Sequence, residues 1–372
     1  LSDYVSFLET KSKNFRTAGR DIPEEKLSKV LYPFQRKLVR WALRKGKAAL
    51  WCDTGLGKTF LQLEWARYVP GPVLILAPLC VSVQTIGEAK KLGIRVTPFG
   101  EDGRIQITNY EQIHNVDPSK FKGVVLDESS ILKNFTGKTR TKLIQMFKDT
   151  PYRLCCTATP APNDLSELAN HCEFLGVMSR SEMLGTFFVH DDEGWRLKGH
   201  ADQDFYRWLA SWGLFMRRPS DLGFDDTGYV LPPLLMHENV VDVVREEIKE
   251  KGIRGHLKLR QSSVTERVEE VAGMIRKQPG QWVAFCGLNS EQKLLHELLD
   301  GQSVSISGTD DKHHKRSGLE DFLTGRKRVL ISKTKIAGLG LNLQFCSQMA
   351  LVGIGASFEA YYQGIRRCWR FG

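Results

Sequence analysis

Short apolar runs recur along this chain, separated by stretches whose apolar positions fall three or four apart. In the first half the runs are Ala48-Ala49-Leu50-Trp51, Val73-Leu74-Ile75-Leu76, Val124-Val125-Leu126 and Arg153-Leu154-Cys155-Cys156, and between the first two Phe60, Leu61, Trp65 and Tyr68 repeat with helical spacing. Such runs predict strands buried on both faces, and their alternation with helices predicts a parallel sheet covered on both sides. The alternation extends from Gln35 to about Leu175, breaks over 176–236, and resumes near Val240 with Trp282-Val283-Ala284-Phe285, Val329-Leu330-Ile331 and Ala350-Leu351-Val352. The expectation is an α/β chain of two tandem lobes, 1–238 and 239–372. Residues 1–31 read as a polar, helix-prone lead-in that stops at Tyr32-Pro33. The break at 176–236 contains Trp195, Trp208 and Trp212, which either pack a small subdomain or stack nucleic-acid bases.

Two of the runs end in residues that carry chemistry. After the first comes Cys52-Asp53-Thr54-Gly55-Leu56-Gly57-Lys58-Thr59, a glycine-rich turn opening a helix. Backbone N–H groups of Asp53 to Gly57 can face phosphates there, with the helix dipole adding positive potential; Lys58 reaches the β/γ-phosphates and Thr59 can hold Mg²⁺. Cys52 stands where the full G-x-x-x-x-G-K-[ST] pattern has glycine. The run Gly123-Val124-Val125-Leu126 ends in Asp127-Glu128, a Walker-B arrangement in which Asp127 faces the metal and Glu128 orients or deprotonates water. ATP with Mg²⁺ is the cofactor pair these segments imply.

The order of segments resembles the superfamily-two helicase-like ATPases, most closely the Swi/Snf type of double-stranded DNA translocase. Tyr32-Pro33-Phe34-Gln35 resembles the adenine-reading segment, which makes Gln35 a nucleotide contact, and Asp53 to Thr59 is similar to the family's phosphate loop, with Cys52 tolerated. Ile107-Thr108-Asn109-Tyr110-Glu111 resembles an element on the nucleic-acid side, implying contacts from Thr108 and Asn109, and Lys133-Asn134 follows Asp127-Glu128-Ser129-Ser130 as in the family. Thr157-Ala158-Thr159-Pro160, with Asn163 and Glu167-Leu168, resembles the coupling motif, giving Thr157 and Thr159 a role in sensing nucleotide state. Ser332-Lys333 to Asn342-Leu343, including Gly338, is similar to the glycine-rich motif that contacts nucleic acid, so Lys133, Ser332, Lys333 and Asn342 are candidate contacts. Gln363 to Gly372 resembles the arginine-finger motif, with Gln363 and Gly338 on the nucleotide side and Arg367 and Arg370 as fingers.

The resemblance implies two RecA-like lobes with parallel sheets, a small helical insertion at about 176–236, ATP and Mg²⁺ in the cleft between the lobes, and duplex DNA as partner. Translocation along DNA is the implied activity. A strand-separating DNA or RNA helicase and a nucleotide-gated scaffold without turnover stay open as alternatives. Arg367 and Arg370, three apart in an expected helix, are read as projecting from one face, with Arg366 about 100° around from Arg367 and the most tolerant of the three.

Composition is that of a globular chain, with 372 residues, 41% apolar and 26% charged. The net charge of +10 suits a polyanion, and the basic runs that could supply contacts are Lys90-Lys91, Lys133, Arg217-Arg218, Lys312 to Arg316 and Arg326-Lys327-Arg328. Eight scattered cysteines without a C-x-x-C pair read as reduced packing residues of an intracellular chain. His171 and His313-His314 lack a second ligand at zinc spacing and read as core or loop histidines. No run reaches the length of a membrane span and no signal-peptide pattern opens the chain, so the expected setting is a bacterial or phage-infected cytoplasm, or a nucleus in a eukaryote. The start at Leu1 and the stop inside the last motif suggest a piece of a longer protein, whose other domains or subunits would set its pathway.

Overall fold

The computed structural model describes residues 18–79, 81–134, 136–192, 194–243, 252–334, 343–353, 355 and 357–371. They fall into two compact units, Leu1–Tyr229 and Val230–Gly372. Both are α/β units on parallel sheets, of the RecA-like kind.

In the first unit, helix α1 (Pro33–Lys45) begins with proline at its first position and ends at Gly46. There follow β1 (Lys47–Cys52), α2 (Lys58–Tyr68), β2 (Val73–Ala77), α3 (Ser82–Lys91), β3 (Val96–Pro98), β4 (Ile105–Asn109), β5 (Gly123–Asp127), α4 (Lys138–Phe147), β6 (Tyr152–Cys156) and α5 (Leu168–Leu175). The strands order as β3-β4-β2-β5-β6-β1, with a further strand beside β1, and all pairs are parallel. Every residue of β2 and β5 is buried, because helices cover both faces of a parallel sheet. Only β6 separates β1 from β5, so the loops after Cys52 and Asp127 emerge on the same edge with a strand's width between them. That edge, at the carboxyl ends of the strands, is where open α/β sheets place ligands.

Two expectations change. Of the expected helix-prone lead-in, residues 1–17 lie outside the described residues, and residues 18–31 are not helical beyond one short turn at Glu24–Lys26; they run along the unit, with Arg20 N–H on the Leu43 carbonyl and Ser28 N–H on the buried Glu64 carboxylate. Polar residues there find better partners on α1 and α2 than within a helix of their own. The stretch expected to be a helical insertion contains α6 (Arg180–Phe187) and α7 (Asp202–Ala210), but also a hairpin of β7 (Phe188–Asp191) and β8 (Gly194–Leu197) and the strand β9 (Gly213–Met216), which completes the main sheet beside β1. The tryptophans here pack rather than offer free faces. Trp212 is fully buried against Trp51 at 5.4 Å, Trp208 lies 5.0 Å from Phe187, and Trp195 joins the same core.

The second unit contains α8 (Gly252–Ser262), α9 (Val264–Lys277), β10 (Trp282–Phe285), α10 (Asn289–Leu298), β11 (Ser303–Ile306), α11 (Lys312–Leu323), β12 (Val329–Ser332), β13 (Gln348–Leu351) and α12 (Phe358–Cys368). Its sheet orders as β11-β12-β10-β13, all parallel. Strand alternation sends Trp282 and Ala284 into one core cluster and Val283 and Phe285 into another, one on each face.

The junction of β9 with β1 has no room for a side chain at Gly213. A Cβ there would stand 2.4 Å from the ring of buried Trp51. Gly213→Ala is therefore expected to destabilise the first unit by about 1–3 kcal/mol through overpacking, read as a lowered urea midpoint at unchanged slope.

Candidate nucleotide-binding and coupling site

The loop between β1 and α2 turns on two residues in the left-handed region, Gly55 at φ 89° and Gly57 at φ 80°. Gly57 caps α2, and a Cβ on it would meet the Gln35 amide nitrogen at 2.4 Å. Gln35 is buried, and its amide links two segments: its oxygen accepts from Tyr32 N–H at 2.9 Å and its nitrogen donates to the Leu56 carbonyl at 3.0 Å. Gln35 thus shapes the phosphate loop. Asp53 N–H donates to the Met216 carbonyl on β9, and Thr54 N–H donates to the Asp53 carboxylate at 2.6 Å. The Lys58 ammonium donates to the Cys52 and Asp53 carbonyls at 3.0 and 3.2 Å, holding it across the loop. Thr59 follows in the first turn of α2.

Asp127 closes β5 almost out of solvent. Burial, together with the neighbouring Glu128 charge, raises its carboxyl to about 6, against the pull of a hydrogen bond from Gln62 and the nearby Lys58. Gln62 Nε2 donates to Asp127 Oδ1 at 2.6 Å, and Tyr110 Oη donates to the Asp127 backbone carbonyl at 2.6 Å. Glu128 is the sole non-glycine with positive φ among the described residues, at φ 54° and ψ 54°. A bulky residue takes that conformation only where its surroundings impose it, and such residues gather at functional sites. Its carboxylate accepts from Thr157 Oγ1 at 3.2 Å, and Thr157 Oγ1 accepts in turn from Thr159 N–H at 3.2 Å. Glu128 and the Thr157–Thr159 segment after β6 are thereby one hydrogen-bonded chain.

The neighbouring motif residues are tied in the same way. Asn163 donates to Glu167 at 2.7 Å, and Asn170 donates to the Lys133 carbonyl at 3.1 Å. Thr108 lies in β4, and Asn109 caps the turn Tyr110–Asn115 by accepting from Gln112 N–H. His171 is fully buried, shares a 3.0 Å hydrogen bond with Ser129 Oγ, and packs edge-on against Trp51.

In the second unit, Ser332 ends β12 with its hydroxyl on the Ile306 carbonyl at 2.9 Å, and Lys333 follows. Gly338 and Asn342 lie outside the described residues. Gln363 is in α12, its amide 3.5 Å from Glu359. The arginine motif differs from the expectation in two ways. Helix α12 ends at Cys368, with Trp369 at ψ 85°, so Arg370 lies beyond it and helical spacing does not put Arg367 and Arg370 on one face. Arg366, expected to be the most tolerant, is 2% exposed, with its guanidinium 5.0 to 5.9 Å from the rings of Trp369, Phe371 and Tyr362. An aromatic-flanked cation at the end of an amphipathic helix is a packing element.

Several basic runs are engaged within the fold. Arg328 donates to the Ile275, Gln278 and Gly280 carbonyls and to Gln302, Lys327 to the Gly301 carbonyl, Lys91 pairs with Glu88, and Arg218 lies 3.7 Å from Asp226. Gln62 was not singled out from the sequence. The available signal was a glutamine one helical turn after Lys58, amid Leu61, Leu63 and Trp65.

Comparison with known proteins agrees with this architecture. A family profile described as SNF2-related domain matches residues 77–187, from the end of β2 through the Walker-B and coupling segments, and one described as helicase conserved C-terminal domain matches residues 266–372. The phosphate loop precedes the first match. The protein named SWI/SNF-related matrix-associated actin-dependent regulator of chromatin subfamily A-like protein 1 is 29% identical over 172 residues in Bos taurus, which is 40% of this chain and 18% of that protein. Its Xenopus laevis counterpart is 29% identical over 163 residues, 39% of this chain and 17% of that one. Chromatin remodeling factor mit1 of Schizosaccharomyces pombe is 25% identical over 202 residues, 44% of this chain and 14% of that one. The chain thus matches less than a fifth of the length of these curated relatives. A solved structure titled Sulfolobus solfataricus SWI2/SNF2 ATPase core in complex with dsDNA superposes with a TM-score of 0.48 at 17% identity, covering 90% of this chain and 84% of that one. Two α/β units, a phosphate loop and a Walker-B pair joined to a coupling segment define a helicase-like ATPase. This chain belongs to the Swi/Snf type of the superfamily-two helicase-like ATPases.

Two expected outcomes follow from the buried polar groups. Burial depresses His171 from 6.5 to about 3. The neutral ring therefore contributes stability that is fully present above its unfolded value and is lost as pH falls toward the folded one. Between pH 7 and pH 5 this group should account for about 2 kcal/mol of lost stability, a loss missing from His171→Gln when urea unfolding is compared at the two pH values. Arg366→Ala should lower the unfolding temperature of the second unit by removing the cation among three rings; calorimetry of the variant against the parent chain checks this.

Proposed function

We propose that this chain is an ATP-driven motor on double-stranded DNA, hydrolysing ATP in response to the duplex and converting each turnover into movement along it. The observation that carries this reading is the hydrogen-bonded chain Glu128–Thr157–Thr159. A catalytic carboxylate in an imposed backbone conformation is held by the segment that, in this family, reports nucleotide state, so a change at the γ-phosphate has a direct route into the backbone after β6.

The residues present suit a Mg-nucleotide. The buried Asp127 carboxyl, raised to about 6, gains from a cation beside it, and the buried Gln62 carbonyl oxygen without a hydrogen-bond partner can accept from a cation's water. Thr59 and Asp127 would hold Mg²⁺, which when bound offsets phosphate charge. Lys58 and the N–H groups of Gly55 to Gly57 bind the phosphates, while the Asp53 and Thr54 N–H groups hold the loop itself. Glu128, turned by Thr157, orients the attacking water and takes its proton. Arg367 and Arg370 are proposed to stabilise charge in the transition state, and Gln35 and Gln363 to contact the nucleotide, with Gly338 beside it. Thr108, Asn109, Lys133, Ser332, Lys333 and Asn342 are proposed to track the DNA backbone, aided by the +10 charge. Such a motor works wherever the DNA is, in a bacterial or phage-infected cytoplasm or a nucleus. Among the described residues no helix is long and apolar enough to cross a membrane.

Phosphate release measured with duplex DNA, single strands and RNA tests the reading. Duplex should stimulate most, and the stimulation should fall steeply with salt. RNA-selective stimulation would redirect the assignment to an RNA helicase, and nucleotide binding without turnover on any nucleic acid would leave a gated scaffold. Glu128→Gln should bind nucleotide normally and release no phosphate.

A further inference from the structure

Gln62 stands one turn after Lys58 on α2, so the helix that opens at the phosphate loop presents both side chains toward the same region. It is fully buried among Leu61, Leu63 and Trp65 on a helix that otherwise serves the core. A buried amide there costs stability unless both ends are satisfied. One end is: Nε2 donates to Asp127 Oδ1 at 2.6 Å. The other is not, since Oε1 is buried with no hydrogen-bond partner. The contact with Asp127 also settles the orientation of the amide, because the reverse would set two acceptors against each other.

We infer that Gln62 is a positioning residue for the metal-side carboxylate. It fixes Asp127 Oδ1 in one rotamer against the phosphate-loop helix, leaving Oδ2 for the cation. Its effect on nucleotide binding therefore runs through Asp127 and requires a divalent cation. Tyr110 supports the same group from the other side, through the Asp127 backbone carbonyl. The inference rests on the Mg-nucleotide reading proposed above.

The test uses the whole chain and equilibrium binding, with no turnover involved. A fluorescent ADP is titrated with excess Mg²⁺ and again with EDTA, for the parent chain and for Gln62→Met, whose unbranched apolar side chain keeps the volume and loses the hydrogen bond to Asp127; Gln62→Leu serves as a second variant if Met packs poorly. The gain in affinity that Mg²⁺ confers on the parent should shrink about tenfold in the variants, equivalent to about 1.4 kcal/mol, while affinity in EDTA stays within about twofold of the parent. In an Asp127→Asn background, Gln62→Met should add no further loss, because the group it positions is already neutral. An unchanged Mg²⁺ gain in Gln62→Met, or equal losses in both backgrounds, overturns the positioning role. A parent chain whose ADP affinity ignores Mg²⁺ overturns instead the Mg-nucleotide reading on which it stands.

Discussion

The first unit is organised around one charge held almost out of water. The Asp127 carboxylate closes the buried strand β5, and desolvation together with Glu128 raises its pKa to about 6. Burying a carboxylate is tolerated only with hydrogen bonds and a cation. The surroundings supply the hydrogen bond from Gln62 and a lysine near enough to lower the pKa. The same surroundings are the phosphate loop and its helix, so the groups that stabilise Asp127 are those that would meet a nucleotide. Fold and site share one set of contacts.

From that charge a short hydrogen-bonded route leads to the segment after β6. Glu128 is turned into the left-handed region immediately after Asp127, which aims its carboxylate at Thr157 on the neighbouring strand end. Strands β5 and β6 are adjacent and parallel, with Asp127 opposite Cys156 in register. Their two following loops must then lie side by side, and a hydroxyl one residue past β6 meets a carboxylate one residue past β5. Parallel pairing converts two motifs some thirty residues apart into one hydrogen-bonded unit.

Electrostatic appearance and electrostatic availability diverge in this chain. The charge of +10 suits a polyanion, yet some of the arginines that read as basic clusters are engaged by the fold itself. Arg328 is bound to three backbone carbonyls, and Arg366 is sandwiched by aromatic rings. A guanidinium has five donors and a flat apolar face, so it serves as structural fastener as readily as phosphate contact. Runs of arginine in the sequence do not distinguish the two uses.

By itself the sequence determined the class of fold, because that depends on local pattern: apolar runs bury as strands and alternate with helical spacing, while glycines permit a tight turn after one strand and acids end another. Tertiary structure alone decided what depends on partners distant in the chain. Gln62 is an unremarked polar residue on an apolar helix until β5 brings Asp127 within 2.6 Å of it. The 176–236 stretch looked like an interruption of the sheet because β9 is a four-residue strand whose only reason to exist is the open edge of β1, some 160 residues earlier in sequence. Arg370 left the helix expected for it because α12 stops at Cys368. Where Arg366 lodges among three rings, the helix end is set by packing, and no periodicity of the chain records such a stop.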